Sequence, residues 1–312
     1  MSFLKEFRTL VSTPTMYVDE ECSITTYYDI LFNQTIEISN GEKRLGSSGV
    51  GYRTTIERQK QLDEKILFKD LLINNDFEKK LERIQEYYRT RTNLETSFVF
   101  DSFNHEEELD KYLSAVGEVK KLIFNKTIMP VKERDIFLSN KWETYIFEGS
   151  QGILLDQNFG TRPHITLSNT TSRNAHEIIG RYKNSNLLKS IYYVTRAYQT
   201  RHGYGPFREK SPNFILYNNE DESNHKNEFQ GEFRTNFLDI DKLNYALECD
   251  NIYSNRVEKN LIVTCLDHFP TDKIKVFEEG KEIEIHYTEL AKKLKCSFKN
   301  IHYSFSGCAE LL

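Results

Sequence analysis

The sequence is poor in proline, glycine, tryptophan and paired cysteine. Its 312 residues include 6 Pro, 14 Gly and 1 Trp, which is too little proline and glycine for a disordered linker or a collagen-like chain. No apolar run is long enough to span a membrane, and the 5 cysteines are scattered without a CxxC pair. These absences argue against an integral membrane protein, a disulfide framework and a zinc knuckle, and the cysteine usage fits a reducing cytoplasm.

The charge balance also lacks the excess of basic residues that attracts nucleic acid. Lys and Arg number 42 against 47 Asp and Glu, a net charge of -5, so the chain has no global basic field. The N-terminal residues contain no signal-peptide core. What the chain does have is 38% hydrophobic residues, with 21 Phe and 18 Tyr, enough for a large aromatic-rich core. We therefore predict a globular cytoplasmic protein without a membrane or nucleic-acid partner.

Changes in the period of the hydrophobic residues predict the fold class. Apolar residues recur at helical spacing within 76–89 and 104–124, which predicts two amphipathic helices. A further helix is expected at 288–295. Short β-branched and aromatic runs or alternating patterns predict strands within 144–152, 190–205, 260–269, 283–287 and 301–305. The fold class is therefore α/β, with a helical insertion between residues 70 and 140.

A glycine- and serine-rich stretch at 44–51 is the first candidate for ligand binding. It reads Arg-Leu-Gly-Ser-Ser-Gly-Val-Gly, a composition that lets backbone N–H groups and hydroxyls approach a phosphate closely. It is not a Walker A loop, because no Gly-Lys-Ser/Thr follows. A solvated turn is the commoner use of such residues. Arg53 and Arg58 come next, and they suit either a nearby phosphate or an ordinary charged surface.

Four later features place polar residues at or after predicted strands. Gln151 offers a donor and an acceptor to a purine edge, or else caps its own loop. The hydroxyl-rich segment 166–171 contacts a phosphate or caps the following helix. The segment 200–207 either wraps around a ligand or is an ordinary loop that follows a strand. Asp267 accepts hydrogen bonds from N1–H and the 2-amino group of guanine, or forms an Asx turn. The scattered histidines lack metal-ligand spacing, so we assign no metal ligands.

The order of these motifs resembles that of one enzyme family. RLGSSGVGYRTTIER precedes YIFEGSQGILLDQNFGTRPHITLSNTT, YVTRAYQTRHGYGPF, GEFRTNFLDIDKLNYALE and LIVTCLDHF. This succession resembles adenylosuccinate synthetase, including the phage-type enzyme that adds aspartate to dGMP, and the resemblance runs from about Phe3 to the C-terminus. It implies one domain over residues 1–312 with a mainly parallel central sheet flanked by helices. It also implies GTP-dependent ligation of aspartate to IMP or dGMP, with Mg2+ as cofactor.

The resemblance assigns binding roles at the purine monophosphate. Ser48 and Thr166 stand where two hydroxyls meet the nucleotide 5′-phosphate. Gln151 and Leu155 fall at positions that line the purine nucleotide. These four residues come from two motifs that are far apart in the sequence. The resemblance therefore implies that the chain folds so as to bring them around one nucleotide.

The resemblance assigns further roles at a dimer interface, at aspartate and at GTP. Arg58, with Arg53 as the alternative, stands for an arginine offered across the interface to the partner's phosphate, which implies a homodimer. Arg234 lies in the segment that binds the carboxylates of aspartate, for which the bidentate geometry of Arg is suited. Asp267 occupies the guanine-reading position. Gly307 lies in the terminal loop that flanks the same base.

This sequence also departs from the family pattern. It contains neither a GDEGKGK phosphate loop nor the His that follows it. In the family these parts supply the catalytic base, the magnesium ligand and the cradle for the transferred phosphate. Cys265 replaces a Lys, and 231–234 reads Gly-Glu-Phe-Arg where the family is rich in arginine. We therefore assign no catalytic residue in this chain and expect no turnover from the isolated polypeptide.

The motifs leave three hypotheses open. In the first, the chain is a synthetase that a phosphate-loop segment completes, either upstream or as a separate chain. In the second, it is a catalytically inactive nucleotide-binding relative that acts as a sensor, a regulatory subunit or an assembly part. A structural protein without a ligand agrees least with the sequence, because the motifs around Gln151, Thr166 and Arg234 would then have no reason to occur together.

Overall fold

The chain divides into two compact units, Met1–Tyr145 and Ile146–Leu312. This is a computed structural model, and it describes residues 2–41, 44–62, 65–72, 76–91, 105–139, 141–182, 188–219, 226 and 228–307. Each unit has its own hydrophobic core. A single domain over residues 1–312 stays a prediction. Within the described ranges, no helix combines the length and the apolar character needed to cross a bilayer.

The first unit is mostly helical. Its helices are α1 (Ser2–Phe7), α2 (Tyr27–Asn40), α3 (Tyr52–Gln61), α4 (Asp76–Arg89), α5 (His105–Phe124) and α6 (Glu133–Leu138). A parallel pair of strands joins β1 (Met16–Asp19) to β2 (Ile128–Val131). The predicted helices at 76–89 and 104–124 are confirmed as α4 and α5. Of the predicted insertion between 70 and 140, residues 73–75, 92–104 and 140 lie outside the described residues.

The apolar stripe of α4 builds the core of the first unit. Phe77, Leu81, Ile84 and Tyr88 lie at intervals of three or four residues, and all four are buried in one cluster. Fully burying such a side chain contributes about 1.5–3 kcal/mol. The start of α2 is fixed by Thr26, whose hydroxyl accepts from the Asp29 amide at 3.2 Å and whose own amide donates to the Asp29 carboxylate at 2.7 Å.

The second unit contains two sheets and helices that pack against them. Its strands are β3 (Ser190–Arg196), β4 (Tyr198–His202), β5 (Phe233–Asp239), β6 (Glu258–Thr264), β7 (Lys273–Glu278), β8 (Lys281–His286) and β9 (Asn300–Tyr303). Its helices are α7 (Arg173–Tyr182), α8 (Ile240–Ser254) and α9 (Leu290–Lys293). One sheet has the order β3-β6-β9 and is parallel throughout. The other has the order β4-β5-β7-β8, in which β5 and β7 run parallel.

The parallel sheet brings its loops to one edge. Leu261 and Val263 of the central strand β6 are buried, and β6 has parallel neighbours on both sides. Because the carboxyl ends of parallel strands emerge at the same edge, the segments after β3, β6 and β9 begin side by side. The α/β class with parallel sheets flanked by helices is thus confirmed, although the described strands form three small sheets.

One predicted strand is wrong. Residues 141–152 have no regular secondary structure, and a short 3-10 helix begins at Ile153. The side chain of Ile146 is 91% exposed. β-Branched and aromatic residues favour a strand only when a neighbouring strand pairs with them, and no described strand pairs with this segment. The other predicted strands correspond to β3 with β4, β6, β8 and β9.

Candidate functional site

The glycine-rich loop 44–51 is held by an internal carboxylate. Glu37 of α2 is buried, and it accepts hydrogen bonds from the backbone N–H groups of Leu45 at 3.1 Å, Gly46 at 3.4 Å and Ser47 at 3.3 Å. Successive N–H groups of this kind form a concave anion site. The loop therefore has the anion-binding geometry that its composition predicts, with the Glu37 carboxylate inside it.

Two more side chains of α2 hold the rest of this loop. The Asn33 side-chain oxygen accepts from the Ser47 hydroxyl at 2.9 Å and from the Gly51 amide at 3.1 Å. The Gln34 amide donates to the Gly49 carbonyl at 3.1 Å. Gly51 has a φ of 81°, and a Cβ there would lie 2.8 Å from a backbone nitrogen of α2, so only glycine fits. The loop is fixed before any ligand arrives.

Ser48 is the loop residue that these contacts leave available. It is half-buried, and its hydroxyl forms no hydrogen bond with any part of the chain that the structure describes. Its neighbour Ser47 bonds to Asn33 instead. Of the two serines, Ser48 is thus the one whose hydroxyl is available to a ligand, and its role at a phosphate stays a prediction.

Arg58 lies inside the first unit. Its Nε donates to Asp29 Oδ1 at 2.8 Å and its Nη2 donates to Asp29 Oδ2 at 3.0 Å, and both side chains are 0% exposed. Tyr88 donates to the same carboxylate at 2.6 Å. Burial lowers the pKa of Arg58, but the Asp29 carboxylate outweighs it and the pKa is raised. A guanidinium enclosed in this way is not exposed to a partner subunit's phosphate.

Arg53, the alternative, lies on the exposed side of the same helix. Its side chain is partly exposed, and its Nη1 lies 3.6 Å from the Glu57 carboxylate one helical turn away. Such an exposed i,i+4 pair is weak. Unlike Arg58, Arg53 keeps part of its side chain at the surface.

The block 151–171 folds back on itself in the second unit. The Thr166 amide donates to the Leu155 carbonyl at 2.8 Å, and the Gln157 amide donates to the Ser168 carbonyl at 3.1 Å. The Thr170 hydroxyl donates to the carbonyl of Gly152 at 3.1 Å. The structure thus brings Leu155 and Thr166, two of the residues expected at the nucleotide, into direct contact.

Two buried carboxylates position this block. Asp156 accepts from the Asn158 amide at 2.8 Å and from the Thr170 amide at 2.7 Å. Asp250 of α8 accepts from the Ser172 amide at 2.6 Å and from the Tyr193 hydroxyl of β3 at 2.5 Å. Burial raises the pKa of Tyr193, and its hydrogen bond to Asp250 raises it further. The block is thereby tied to both the sheet and α8.

Gln151 stands at the exposed start of this block in an unusual backbone conformation. Its φ is 62°, in the left-handed region that a residue with a Cβ rarely adopts. Residues with strained backbone of this kind cluster at active sites, ligand clamps and switch regions. Gln151, Leu155 and Thr166 lie in one folded segment, and their shared role at a nucleotide stays a prediction.

Two arginines face each other across neighbouring antiparallel strands. Arg201 of β4 and Arg234 of β5 are register partners. Arg234 donates from Nη2 to the carbonyls of Gly203 and, at 3.0 Å, Gly205. Arg201 donates to the Tyr204 carbonyl at 3.0 Å and through Nη2 to a second loop at 3.2 Å. The pair shapes the turn that follows β4.

The charge of this pair is not neutralised within the described residues. Neither Arg201 nor Arg234 forms a salt bridge there, and Nε of Arg234 is buried without a hydrogen-bond partner. Burial lowers the pKa of both groups, and the positive charge of Arg234 lowers the pKa of Arg201 further. Two close cations with a spare donor favour an anionic ligand such as a carboxylate.

Asp267 and Gly307 lie on adjacent loops at the carboxyl edge of the parallel sheet. Asp267 follows β6 and Gly307 follows β9, which are neighbouring strands. The Leu266 amide donates to the Ser304 carbonyl at 3.2 Å and joins the two loops. Asp267 is 30% exposed at its side chain, and Gly307 is exposed. The structure thus brings these two predicted residues to one place.

The sequence model of the family described as adenylosuccinate synthetase matches residues 1–298. This chain belongs to the adenylosuccinate synthetase family. The adenylosuccinate synthetase of Thermoplasma volcanium is 28% identical over 250 residues, covering 76% of this chain and 52% of that protein. The enzyme of Francisella tularensis is 28% identical over 291 residues, covering 89% and 62%.

A solved structure shares the fold. The succinoaminodeoxyadenylate synthetase of cyanophage S-2L, bound to dGMP and to dATP as an energy donor, matches with a TM-score of 0.52 and 12% identity, covering 99% of this chain and 71% of that one. At this identity the likeness shows the fold alone. The chain spans about half of the first curated relative, at 52%.

The Mg2+ ion expected from the family has no evident set of ligands among the described residues. Within those ranges, no group of three or more His, Cys, Asp or Glu side chains is placed to hold a metal ion. Hard cations such as Mg2+ need oxygen ligands that converge. Because Mg2+ is usually held by one or two carboxylates together with substrate phosphates, we assign no magnesium ligand among these residues and no step of the chemistry to the metal.

Sequence reasoning missed two side chains that contact or adjoin the predicted site residues, one in each unit. Glu37 lies one helical turn after Asn33 on α2, just before the glycine-rich loop, and that spacing was the available signal. His268 directly follows Asp267 and hydrogen bonds to Tyr198 at 3.0 Å. Its adjacency to Asp267, the residue predicted to read a guanine base, was the only hint in the sequence.

Proposed function

We propose that this chain carries the purine-nucleotide and aspartate sites of an adenylosuccinate synthetase-type ligase, and that a phosphate-loop segment completes it. The complete enzyme joins aspartate to IMP or dGMP with GTP and Mg2+, as a cytoplasmic homodimer. The observation that carries the proposal is the folded block 151–171, in which Leu155 and Thr166 are in contact and two buried carboxylates hold the backbone.

The purine monophosphate is bound by hydroxyls and one amide. Ser48 and Thr166 donate to its 5′-phosphate, while Gln151 and Leu155 line the base and sugar. Arg53 of a second subunit supplies a positive charge at the same phosphate, since Arg58 is committed to Asp29. A phosphate favours charge-assisted hydrogen bonds of this kind.

Aspartate is bound by the arginine pair. Arg234 offers its buried and unpaired Nε, and Arg201 adds a second positive charge from the neighbouring strand. A dicarboxylate neutralises both, which removes the like-charge repulsion seen in the lowered pKa of Arg201. Amino acids with an uncharged side chain satisfy only part of this charge.

The energy donor lies with its base at Asp267 and Gly307. Its phosphates and the magnesium belong with the phosphate-loop segment, because the described side chains offer no set of converging metal ligands. Phosphoryl transfer depends mainly on positioning and charge stabilisation around the phosphates. This chain therefore binds and orients the substrates, and the missing cradle limits turnover.

Calorimetric titration with IMP and with dGMP tests the binding proposal. We expect heat from at least one of the two with the unaltered chain, and a clear loss of affinity in Thr166→Ala. The matched control is Thr271→Ala, an exposed threonine whose hydroxyl bonds only within its own turn. No heat with either nucleotide, from protein shown to be folded, contradicts the proposal.

An assay of product formation distinguishes the ligase hypothesis from its alternative. In the alternative, the chain is a purine-nucleotide-binding relative that acts as a sensor, regulatory or assembly subunit. We expect no product from the isolated chain with GTP and aspartate. Adding a family phosphate-loop segment, fused or as a separate chain, should give magnesium-dependent turnover that Arg234→Ala abolishes. Nucleotide binding without turnover after that addition favours the alternative. Turnover by the isolated chain contradicts the assignment of no catalytic residue.

A further inference from the structure

The side chain of Arg201 joins the turn after β4 to the block 151–171. Its Nε donates to the Tyr204 carbonyl at 3.0 Å within the turn, and its Nη2 donates to the His164 carbonyl at 3.2 Å within the block. A guanidinium is planar and carries its N–H donors in a fixed fork, so these two bonds together set its orientation. The turn and the block are thereby held to each other through one side chain.

Gly205 allows the turn and the block to approach closely at this bridge. Its φ is 106°, and a Cβ there would overlap Nη2 of Arg201 and lie 2.8 Å from Cγ of His164. Only glycine, which has no Cβ, fits between these two groups. The backbone of the turn is therefore packed against Arg201 and against the block at once, with no room for a side chain between them.

Arg234 holds the same turn from the neighbouring strand. Its Nη2 donates to the carbonyls of Gly203 and Gly205, and Arg234 is the register partner of Arg201. Its Nε stays buried without a hydrogen-bond partner in the part of the chain that the structure describes. Since Arg201 fixes the turn against the block, it also helps to fix the direction in which this spare donor points.

The other end of the bridge lies two residues before Thr166. The His164 amide donates to the Thr161 carbonyl at 3.0 Å, and the Thr166 amide donates to the Leu155 carbonyl at 2.8 Å. The segment 161–166 is thus folded onto the block by its own backbone. The carbonyl that accepts from Arg201 belongs to the same short folded segment as Thr166, so a ligand that orders Thr166 also orders that carbonyl.

We propose that Arg201 is a positioning residue that couples two substrate sites, because its bridge from the His164 carbonyl to the turn after β4 holds Arg234 ready for a dicarboxylate when a nucleotide is bound at Thr166. This role rests on the proposed function, which assigns these sites to a purine monophosphate and aspartate. A ligand at either site orders Arg201 in advance for the other. Each ligand should therefore strengthen the binding of the other, by the same factor in both directions.

The bridge formed by Arg201 is separable from its charge. Arg201→Lys keeps a positive charge beside Arg234, but an ammonium group has no rigid fork with which to hold two carbonyls at once. Arg201→Gln loses the charge as well. We expect both variants to lose the coupling, whereas the affinity for aspartate alone should fall further in Arg201→Gln than in Arg201→Lys. A role through charge alone predicts instead that Arg201→Lys keeps the coupling.

Calorimetric titration of the full chain with IMP and with dGMP, each with and without an excess of aspartate, measures the coupling. No energy donor is added, so no product forms. In the unaltered chain we expect aspartate to strengthen nucleotide binding by about 2- to 10-fold, the effect of ordering one long side chain in advance. In both Arg201 variants aspartate should leave nucleotide affinity unchanged. Arg173→Gln is the matched control, because the ion pair of Arg173 with Glu177, at 2.7 Å, lies within α7.

The outcomes separate the coupling role from the proposed function. If nucleotide and aspartate each bind to the unaltered chain without affecting one another, the coupling role is overturned while both sites stand. Undiminished coupling in Arg201→Lys also overturns it. Melting temperatures show whether each variant is folded, and if Arg201→Gln unfolds, the unaltered chain and Arg201→Lys still decide. Failure of the folded, unaltered chain to bind either ligand contradicts the proposed function and the coupling role together.

Discussion

Arg58 and Asp29 form a two-point ion pair with no exposed surface in the interior of the first unit. The guanidinium reaches both carboxylate oxygens, at 2.8 and 3.0 Å, and Tyr88 donates to the same carboxylate at 2.6 Å. The pair links α2 to α3, on either side of the loop that contains Ser48. An arginine that the sequence suggests as a phosphate ligand is thus a structural residue here.

We expect Asp29→Ala to destabilise the first unit strongly. Removing one partner of a buried pair leaves an uncompensated charge and costs about 3–5 kcal/mol. Urea unfolding followed by circular dichroism measures the change. Glu57→Gln is the control, because it breaks only the exposed pair with Arg53 and should change stability by less than about 1 kcal/mol. Equal effects of the two substitutions would contradict the structural role of Arg58.

We expect Glu37→Gln to loosen the loop around Ser48. The amide group of Gln brings a donor toward three backbone N–H groups that now share a carboxylate. Each hydrogen bond to a charged group contributes about 1.5–3 kcal/mol. Hydrogen exchange of the amides of residues 45–47 should accelerate, and IMP affinity should fall as in Ser48→Ala. Unchanged exchange at these amides would show that the loop does not depend on Glu37.

We expect Asp156→Asn to weaken nucleotide binding without unfolding the second unit. The two carboxylate oxygens accept from the backbone amides of Asn158 and Thr170. An Asn side chain has only one oxygen, so it can replace only one of these two acceptors. The loss of one such bond costs about 1–3 kcal/mol locally. Titration with IMP, alongside the melting temperature, separates the two effects. Wild-type affinity in the variant would mean that the block keeps its shape unaided.

The second unit should lose stability as the pH falls, partly through His176. Burial lowers the pKa of His176 from 6.5, the charge of Lys189 lowers it further, and Asp250 opposes both. The unfolded chain therefore binds a proton that the folded chain does not. The contribution of neutral His176 to stability is complete at pH values above the pKa that it has in the unfolded chain. It is lost as the pH falls through the lower pKa that it has in the folded chain. Urea midpoints from about pH 7.5 to about pH 5 should fall less in His176→Gln than in the unaltered protein.

The sequence was a good guide where a pattern is local. The period of apolar residues predicts α4 and α5 almost to the residue, because a helix buries one stripe of its own side chains. The strand expected within 144–152 is wrong, since strand formation depends on a partner that a local pattern does not reveal. The burial of Arg58 depends likewise on Asp29, 29 residues away in the sequence.

The candidate site residues likewise fall into those that a local motif predicts and those that it does not. Gln151, Leu155 and Thr166 belong to one continuous motif, and the structure places them in one folded block. Glu37 and His268 have no motif of their own. Their contacts are with atoms that only the fold brings near them, namely the amides of a loop in one case and a tyrosine hydroxyl in the other.

The carboxylate of Glu37 has a kinetic consequence for the loop that it fills. Ordering one residue of backbone costs about 1–2 kcal/mol, and residues 45–47 are already ordered by Glu37 when a nucleotide arrives. Preorganised sites lose little conformational freedom on binding. Nucleotides should therefore associate with this loop at similar rates whatever their base, and differ in how long they stay.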